Sequence, residues 1–243
     1  MKENHYDNET FFEAYSRFPR SVQGLRAAGE WHELKKLLPD FTDKRVLDLG
    51  CGFGWHCRYA AEQGARSVLG TDLSEKMLER ARKMTQDPRI TYRRAAMEDL
   101  EGEPGSFDVV LSSLALHYVD GLRPVFQKVH GLLAPGGVFV YSCEHPVFTA
   151  EGSQEWCCDE RGRPVHWPVD RYFAGGKRTA HFLGCEVVKY HHTLTDWLNT
   201  LLETGFVLER VVEPMPDPAL MDVPGMADEL RRPMMLLVRG RRI

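Results

Sequence analysis

The order of patterns along this chain predicts a doubly wound α/β fold: a mostly parallel sheet of seven strands, the last one antiparallel, with helices on both faces. Three observations predict it. An apolar run of strand length, Arg45–Leu49, leads into three alternating glycines (Gly50, Gly52, Gly54) and then a helical segment from Trp55 to Gln63. A second apolar strand, Ser67–Thr71, ends on Asp72, 18 residues past Gly54. Strand-like and helix-like patterns then keep alternating as far as residue 142.

Bulk properties bound the answer. With 243 residues, 43% of them hydrophobic, the chain can bury one sizeable core, which favours one domain with an insertion over two domains. Lys plus Arg is 31 against 35 for Asp plus Glu, a net charge of −4 that argues against affinity resting on phosphate neutralisation. The six cysteines (51, 57, 143, 157, 158, 185) are scattered without CxxC spacing, and read as reduced thiols of a cytoplasmic protein with no metal site. No apolar run approaches the ~20 residues of a membrane span, and the polar start Met1–Asn8 does not read as a signal peptide.

The first strand, turn and helix make a geometry that brings backbone N–H groups and a helix N-terminus up to a ligand. An acid at the tip of the second strand, here Asp72, is placed to hold a ribose diol. The glycine spacing then chooses between cofactors. A dinucleotide turn reads Gly-x-Gly-x-x-Gly, its last glycine letting the helix pack closely on the strand; that position is Trp55 here. Asp48, inside the end of the first strand, suits a cation better than a phosphate. S-adenosylmethionine carries a sulfonium, an ammonium and a ribose but no phosphate, and matches these residues better than NAD.

At this point the sequence resembles the class I S-adenosylmethionine-dependent methyltransferases, most nearly the small-molecule type whose first motif reads VLDLGCGxG. The resemblance spans Val46–Gly54, Val68–Ala81, Ala95–Leu100, Phe107–Val119 and Leu132–Tyr141, five motifs in the family order. It implies a Rossmann-like sheet, S-adenosylmethionine as methyl donor, S-adenosylhomocysteine as product, and a small-molecule acceptor. It also implies a cofactor site made of Asp48, Gly50, Cys51, Gly52, Trp55, Asp72, Leu73, Met77, Met97, Glu98, Ser112, Leu114 and His117. Family members usually carry an acid near Ala96 for the adenine amino group; here Glu98 takes that part, with the Met97 N–H on a ring nitrogen. The Asn/Asp-Pro-Pro-Tyr loop similar to that of DNA-adenine and protein-glutamine methyltransferases is absent after the fourth strand.

Taken in order, residues 1–44 form a helical cap. Phe11, Phe12, Tyr15 and Phe18 make one aromatic face; Leu25, Ala28, Leu34, Leu37 and Leu38 make a second stripe, with Pro19 between the two and Pro39 after them. The string from Arg20-Ser21 to Glu30-Trp31 resembles a lead-in of some small-molecule members, which makes Tyr15, Arg20 and Trp31 cap contacts: aromatic faces for a sulfonium, an arginine for a carboxylate.

Residues 45–142 are the cofactor-binding core. Ser74 is an N-cap for a helix that Pro88 ends, Ile90–Arg93 is the third strand and Phe107–Leu111 the fourth. Arg123–Leu133 is a helix, Pro135-Gly136-Gly137 a turn, and Val138–Ser142 the fifth strand. Residues 143–192 are too long and too rich in aromatic residues for a plain connector and read as a substrate lid with one or two hairpins. Residues 193–243 complete the sheet: helix Thr193–Thr204, strand Phe206–Val212, a five-proline loop with one helical turn, and an antiparallel strand Met234–Arg239.

For the acceptor's proton, histidine is the side chain that titrates near neutrality. His145, just past the fifth strand, is the expected base, with His191 as an acceptor contact; the common string around His117 assigns that residue to the cofactor side or to packing. The competing readings are an NAD-dependent oxidoreductase, a non-catalytic S-adenosylmethionine-binding protein and an RNA methyltransferase. An amine acceptor needs no protein base.

Overall fold

The computed structural model describes residues 4–243; residues 1–3, the beginning of the polar start, lie outside the described residues. Three short helices come first, α1 (Glu9–Arg17), α2 (Pro19–Gln23) and α3 (Trp31–Leu37). The core then runs β1 (Arg45–Leu49), α4 (Trp55–Glu62), β2 (Ser67–Asp72), α5 (Glu75–Met84), β3 (Ile90–Arg94), β4 (Phe107–Ser113), α6 (Leu122–Leu132) and β5 (Leu133–Glu144). After it come α7 (Pro146–Thr149), a two-residue strand β6 (Cys157–Cys158) paired with β7 (Pro164–His166), and a hairpin of β8 (Gly176–Phe182) and β9 (Cys185–His191). The chain closes with α8 (Leu194–Glu203), β10 (Phe206–Val212), α9 (Met226–Glu229) and β11 (Met235–Arg242).

The main sheet has seven strands in the order β10-β11-β5-β4-β1-β2-β3. β11 runs antiparallel to both its neighbours, and the pairs among β1 to β5 are parallel. β1 lies between β2 and β4, so successive connections leave it toward opposite halves of the sheet. The crevice at the carboxyl ends of β1 and β4 is therefore the switch point where open α/β sheets take ligands. Val46, Leu47, Asp48 and Leu49 are all buried, as expected of a strand covered on both faces. One face carries a core in which Phe126, Phe139, Tyr141 and Trp197 meet; the other packs Phe41, Ala60, Ala61 and Leu78 over Val46 and Val68.

Local chemistry accounts for the helix boundaries. Ser74 Oγ accepts the Met77 N–H at the start of α5, and Thr193 forms a reciprocal capping box with Asp196 at the start of α8. α5 stops at Met84, four residues before Pro88, where Thr85 turns extended. The apolar stripe from Leu25 to Leu38 does not form one helix. Gly24 sits at φ +66°, which ends α2, and a 3₁₀ turn (Gly24–Ala27) intervenes before α3.

Several strands run past their sequence expectation, β4, β5 and β11 by two residues or more. β4 continues through Ser112 and Ser113, because each pairs with β5. Pro135-Gly136-Gly137 is not a turn ahead of β5 but a bulge inside it: between Phe107↔Leu133 and Val109↔Val138 the β5 side advances further than the β4 side. The basic end of the chain is also strand. Arg239 and Arg241 both hold Glu209 on β10, and Arg242 donates to the carbonyls of His130 and Leu133. No helix among the described residues is long and apolar enough to cross a membrane.

Candidate active site

A cavity of about 460 Å³ opens at the switch point. Its floor is the turn after β1. Gly50, Gly52 and Gly54 all have positive φ, and a Cβ on Gly50 would lie 2.4 Å from the Cβ of Ala115. Only glycine fits there. Three N–H groups of this turn, however, are already taken by the protein. Gly50 and Cys51 both donate to the Thr71 carbonyl, at 2.8 and 2.9 Å, and Gly52 donates to Asp72 Oδ2 at 2.9 Å. A phosphate cradle needs such donors free, so the turn is built for a ligand without phosphate. This corrects the expectation that the turn offers bare N–H groups, and it weighs against a dinucleotide.

Asp72 also accepts the Ser74 N–H, through Oδ1 at 2.9 Å. Each oxygen is thus pinned by one backbone donor while the carboxylate still lines the cavity. Burial raises its pKa above the ordinary value, and the Ser74 and Gly52 N–H groups act the other way. Leu73, Met77, Met97 and Glu98 line the same wall, with Met97 and Glu98 on a 3₁₀ turn after β3. Across the cavity, Tyr15 comes from α1 and Arg20 from α2. Arg20 donates to Ser113 Oγ at 2.9 Å and pairs with the buried Glu30 at 2.7 Å. Leu114 lines the cavity with φ +50°, a strained setting held by its N–H on the Ser142 carbonyl and hydroxyl.

Other expected residues lie elsewhere. Asp48 is buried beneath the turn, where Cys57 Sγ donates to it at 3.2 Å; desolvation lifts its carboxyl to about 7. Cys51 and Trp55 border an adjoining pocket of about 50 Å³, which shares Tyr15, Arg20, Gly50, Gly52 and Ser113 with the main cavity, and burial pushes the Cys51 thiol up to about 11. The Trp55 indole fills the space over Gly24, which is why a large residue stands where a dinucleotide turn has glycine. Ser112 faces away from the cavity and donates to the Leu49 carbonyl; its neighbour Ser113 lines the cavity instead. Trp31 packs edge-on against Tyr59 and His56, also outside the cavity.

Neither histidine expected to handle the acceptor lines the cavity. His145 caps α7: its Nδ1 accepts the Val147 N–H, and its Nε2 lies 2.8 Å from Glu213. His191 is fully buried, with Nδ1 2.7 Å from Thr149 Oγ1 and Nε2 2.8 Å from the Tyr172 carbonyl. Both rings are occupied in holding the connection after β5. His117 does line the cavity; its Nδ1 accepts the Glu144 N–H at 3.3 Å, and burial pushes its pKa down to about 4.

The lid contributes less than its length suggests. Of residues 143–192, only Glu144, Phe182, Val188, Lys189 and Tyr190 reach the cavity. The β6–β7 pair lies away from it: Trp156 and Trp167, which flank the pair, pack against Phe148 and the guanidinium of Arg232. Sequence reasoning missed Tyr6, Glu144 and Lys189 as lining residues. Tyr6 and Tyr118 meet only in the fold, their hydroxyls 3.1 Å apart. The described residues hold no cluster of three or more metal-ligating side chains, and all six cysteines are free.

The chain is thus a doubly wound α/β protein with a cavity at its switch point, and comparison with known proteins gives the family. Residues 47–141 match the family model described as a methyltransferase domain. The crystal structure of an S-adenosylmethionine-dependent methyltransferase from Mesorhizobium loti shares 48% identity over 90% of this chain and all of its own, with a TM-score of 0.83. A chain from Listeria monocytogenes assigned to the same class shares 57% identity over 90% of this chain and 99% of its own, with a TM-score of 0.86. An uncharacterised Haemophilus influenzae protein is 33% identical across 98% of this chain and 96% of its own length. This chain belongs to the S-adenosylmethionine-dependent methyltransferases. It is an enzyme, and S-adenosylmethionine is its methyl donor.

Proposed function

We propose that this methyltransferase acts on a small molecule, bound in the same cavity as the cofactor and between it and the β8–β9 hairpin. One observation carries the reading. The cavity of about 460 Å³ has a nucleoside-type wall at Asp72, Met77 and Met97 and a second wall at Tyr118, Glu144, Phe182 and Lys189. Its charged rim residues Glu98 and Asp120 are acidic, which suits a compact acceptor better than a polyanion.

In this reading Asp72 accepts the two ribose hydroxyls, and Met77 and Met97 cover the adenine with Glu98 at its edge. Arg20, placed by Glu30 and Ser113, takes the carboxylate of the methionine moiety. The cofactor supplies an activated methyl group on a sulfonium. The protein's contribution is alignment of the acceptor behind that methyl at roughly 3–3.5 Å and exclusion of water, for which Tyr6, Tyr15, Tyr118 and Phe182 form an aromatic roof. Asp72 and Glu98 stand on the nucleoside side. An anion beside the sulfonium would favour the ground state over the transition state, where that charge is leaving.

The test is transfer of labelled methyl from S-adenosylmethionine to a small-molecule extract and, separately, to total RNA. Labelled small-molecule products with unlabelled RNA support the reading. Labelled RNA, with binding that falls steeply in salt, overturns it.

A further inference from the structure

Resting on the small-molecule reading above, we propose that the acceptor is an amine, bound as its neutral form with an N–H donated to the Glu144 carboxylate. Glu144 ends β5 on the cavity wall opposite the nucleoside side. It is held from two directions. Lys189 Nζ donates to Oε1 at 2.5 Å, and Gln154 Nε2 donates to Oε2 at 2.5 Å. Lys189 also donates to Gln154 Oε1 at 2.8 Å, which closes a ring of three side chains. Gln154 sits at φ +60°, a strained backbone setting for a non-glycine residue at the point that aims its amide into this ring.

A carboxylate has about four lone-pair positions, and the ring uses two. Glu144 lines the cavity, and His117 Nε2 is 4.0 Å from Oε1, too far for a direct hydrogen bond. A donor on a bound acceptor fits at that carboxylate edge. At this point of the wall the Lys189 charge offsets that of Glu144, so an amine can bind there in its neutral form. Burial opposes the charge on Glu144, yet His117, Lys189 and the hydrogen bonds from Lys189 and Gln154 hold its carboxyl below the ordinary value.

The wall has a hydrogen-bond acceptor but no base suited to a hydroxyl nucleophile. His145 and His191 are outside it, His117 Nδ1 already accepts a backbone N–H, and the Glu144 carboxylate, held below its ordinary value beside Lys189 and Gln154, is a weak base. A neutral amine needs no base, because its own lone pair forms the bond. The N–C bond forms as the C–S bond breaks, and the bonding pair stays on sulfur as a neutral thioether. Nitrogen gains the positive charge and then releases a proton to solvent. That charge develops beside the Glu144 oxygens and under the rings of Tyr6 and Tyr118, where it is stabilised in the transition state more than in the ground state.

The experiment offers labelled S-adenosylmethionine a library of primary and secondary amines, phenols, alcohols, thiols and carboxylates, and identifies the methylated products. The expected product is a methylated amine. The same amine is then titrated into the S-adenosylhomocysteine complex of Glu144→Gln and of the double variant Glu144→Gln/Lys189→Met, which avoids a lone buried ammonium. Its affinity should fall about 10- to 100-fold in both, with S-adenosylhomocysteine affinity within about threefold of wild type. Products drawn only from the other classes overturn the amine assignment and leave the small-molecule reading intact. An amine that binds both variants as it binds wild type overturns the role of Glu144. No product from any class overturns both readings.

Discussion

Asp72 Oδ2 accepts the backbone N–H of Gly52 at 2.9 Å, so the tip of the second strand and the glycine turn of the first are one hydrogen-bonded unit. With Ser74 N–H on the other oxygen, the carboxylate is oriented before any ligand arrives. Asp72→Ala should therefore lose both the ribose contact and the geometry of the turn. Charge-assisted hydrogen bonds are worth about 1.5–3 kcal/mol each, which predicts at least a hundredfold loss of S-adenosylhomocysteine affinity by calorimetry, to order of magnitude. A loss of about threefold or less would remove Asp72 from the site.

Arg20 and Glu30 form a buried ion pair, with the Glu30 side chain 1% exposed. Removing one partner strands the other in a medium that penalises charge. Arg20→Met should lower unfolding stability by about 3–5 kcal/mol, read by urea denaturation. The double variant Arg20→Met/Glu30→Gln should regain much of that loss while still binding S-adenosylhomocysteine weakly. A double variant as unstable as the single one would contradict this account.

Gly24 supports the Trp55 ring. A Cβ there would lie 2.5 Å from Trp55 Cε3, and the residue sits at φ +66°. Gly24→Ala should cost at least about 2 kcal/mol from strain and displacement. Gly131→Ala, within α6 and with open space around the new methyl, should instead gain about 0.5–1 kcal/mol. Denaturation midpoints moving the same way in both would refute the argument.

Asp48 gives a pH prediction. Burial raises its carboxyl from 3.8 to about 7, so the folded state holds a proton there that the unfolded state has released. Its contribution is fully present below about pH 4 and is lost as pH rises through about 7. Asp48→Asn removes that loss. Relative to wild type, the variant should gain on the order of 2–4 kcal/mol between pH 5 and 8. A stability difference that stays flat across this range would mean that Asp48 is ionised throughout.

The sheet, the cofactor class and the motif residues at the strand ends were legible in the amino-acid order. Alternating glycines after an apolar strand, an acid ending the next strand and a serine cap two residues later are short-range features, and the parallel pairing of β1 with β2 then brings Gly52 up to Asp72. Other features depend on partners far apart in the chain and emerge in the assembled fold. Whether Ser112 or Ser113 faces the cavity is fixed by the pairing of β4 with β1 and β5, since a one-residue change of register exchanges the faces. His145 and His191 carry the right chemistry, but α7 capping and the Thr149 and Tyr172 contacts use their ring nitrogens, and no local pattern encodes that. Glu144 and Lys189 are 45 residues apart and meet because the β8–β9 hairpin folds back over the end of β5. Charge burial of that kind is a property of the assembled fold, and a one-dimensional pattern holds no trace of it.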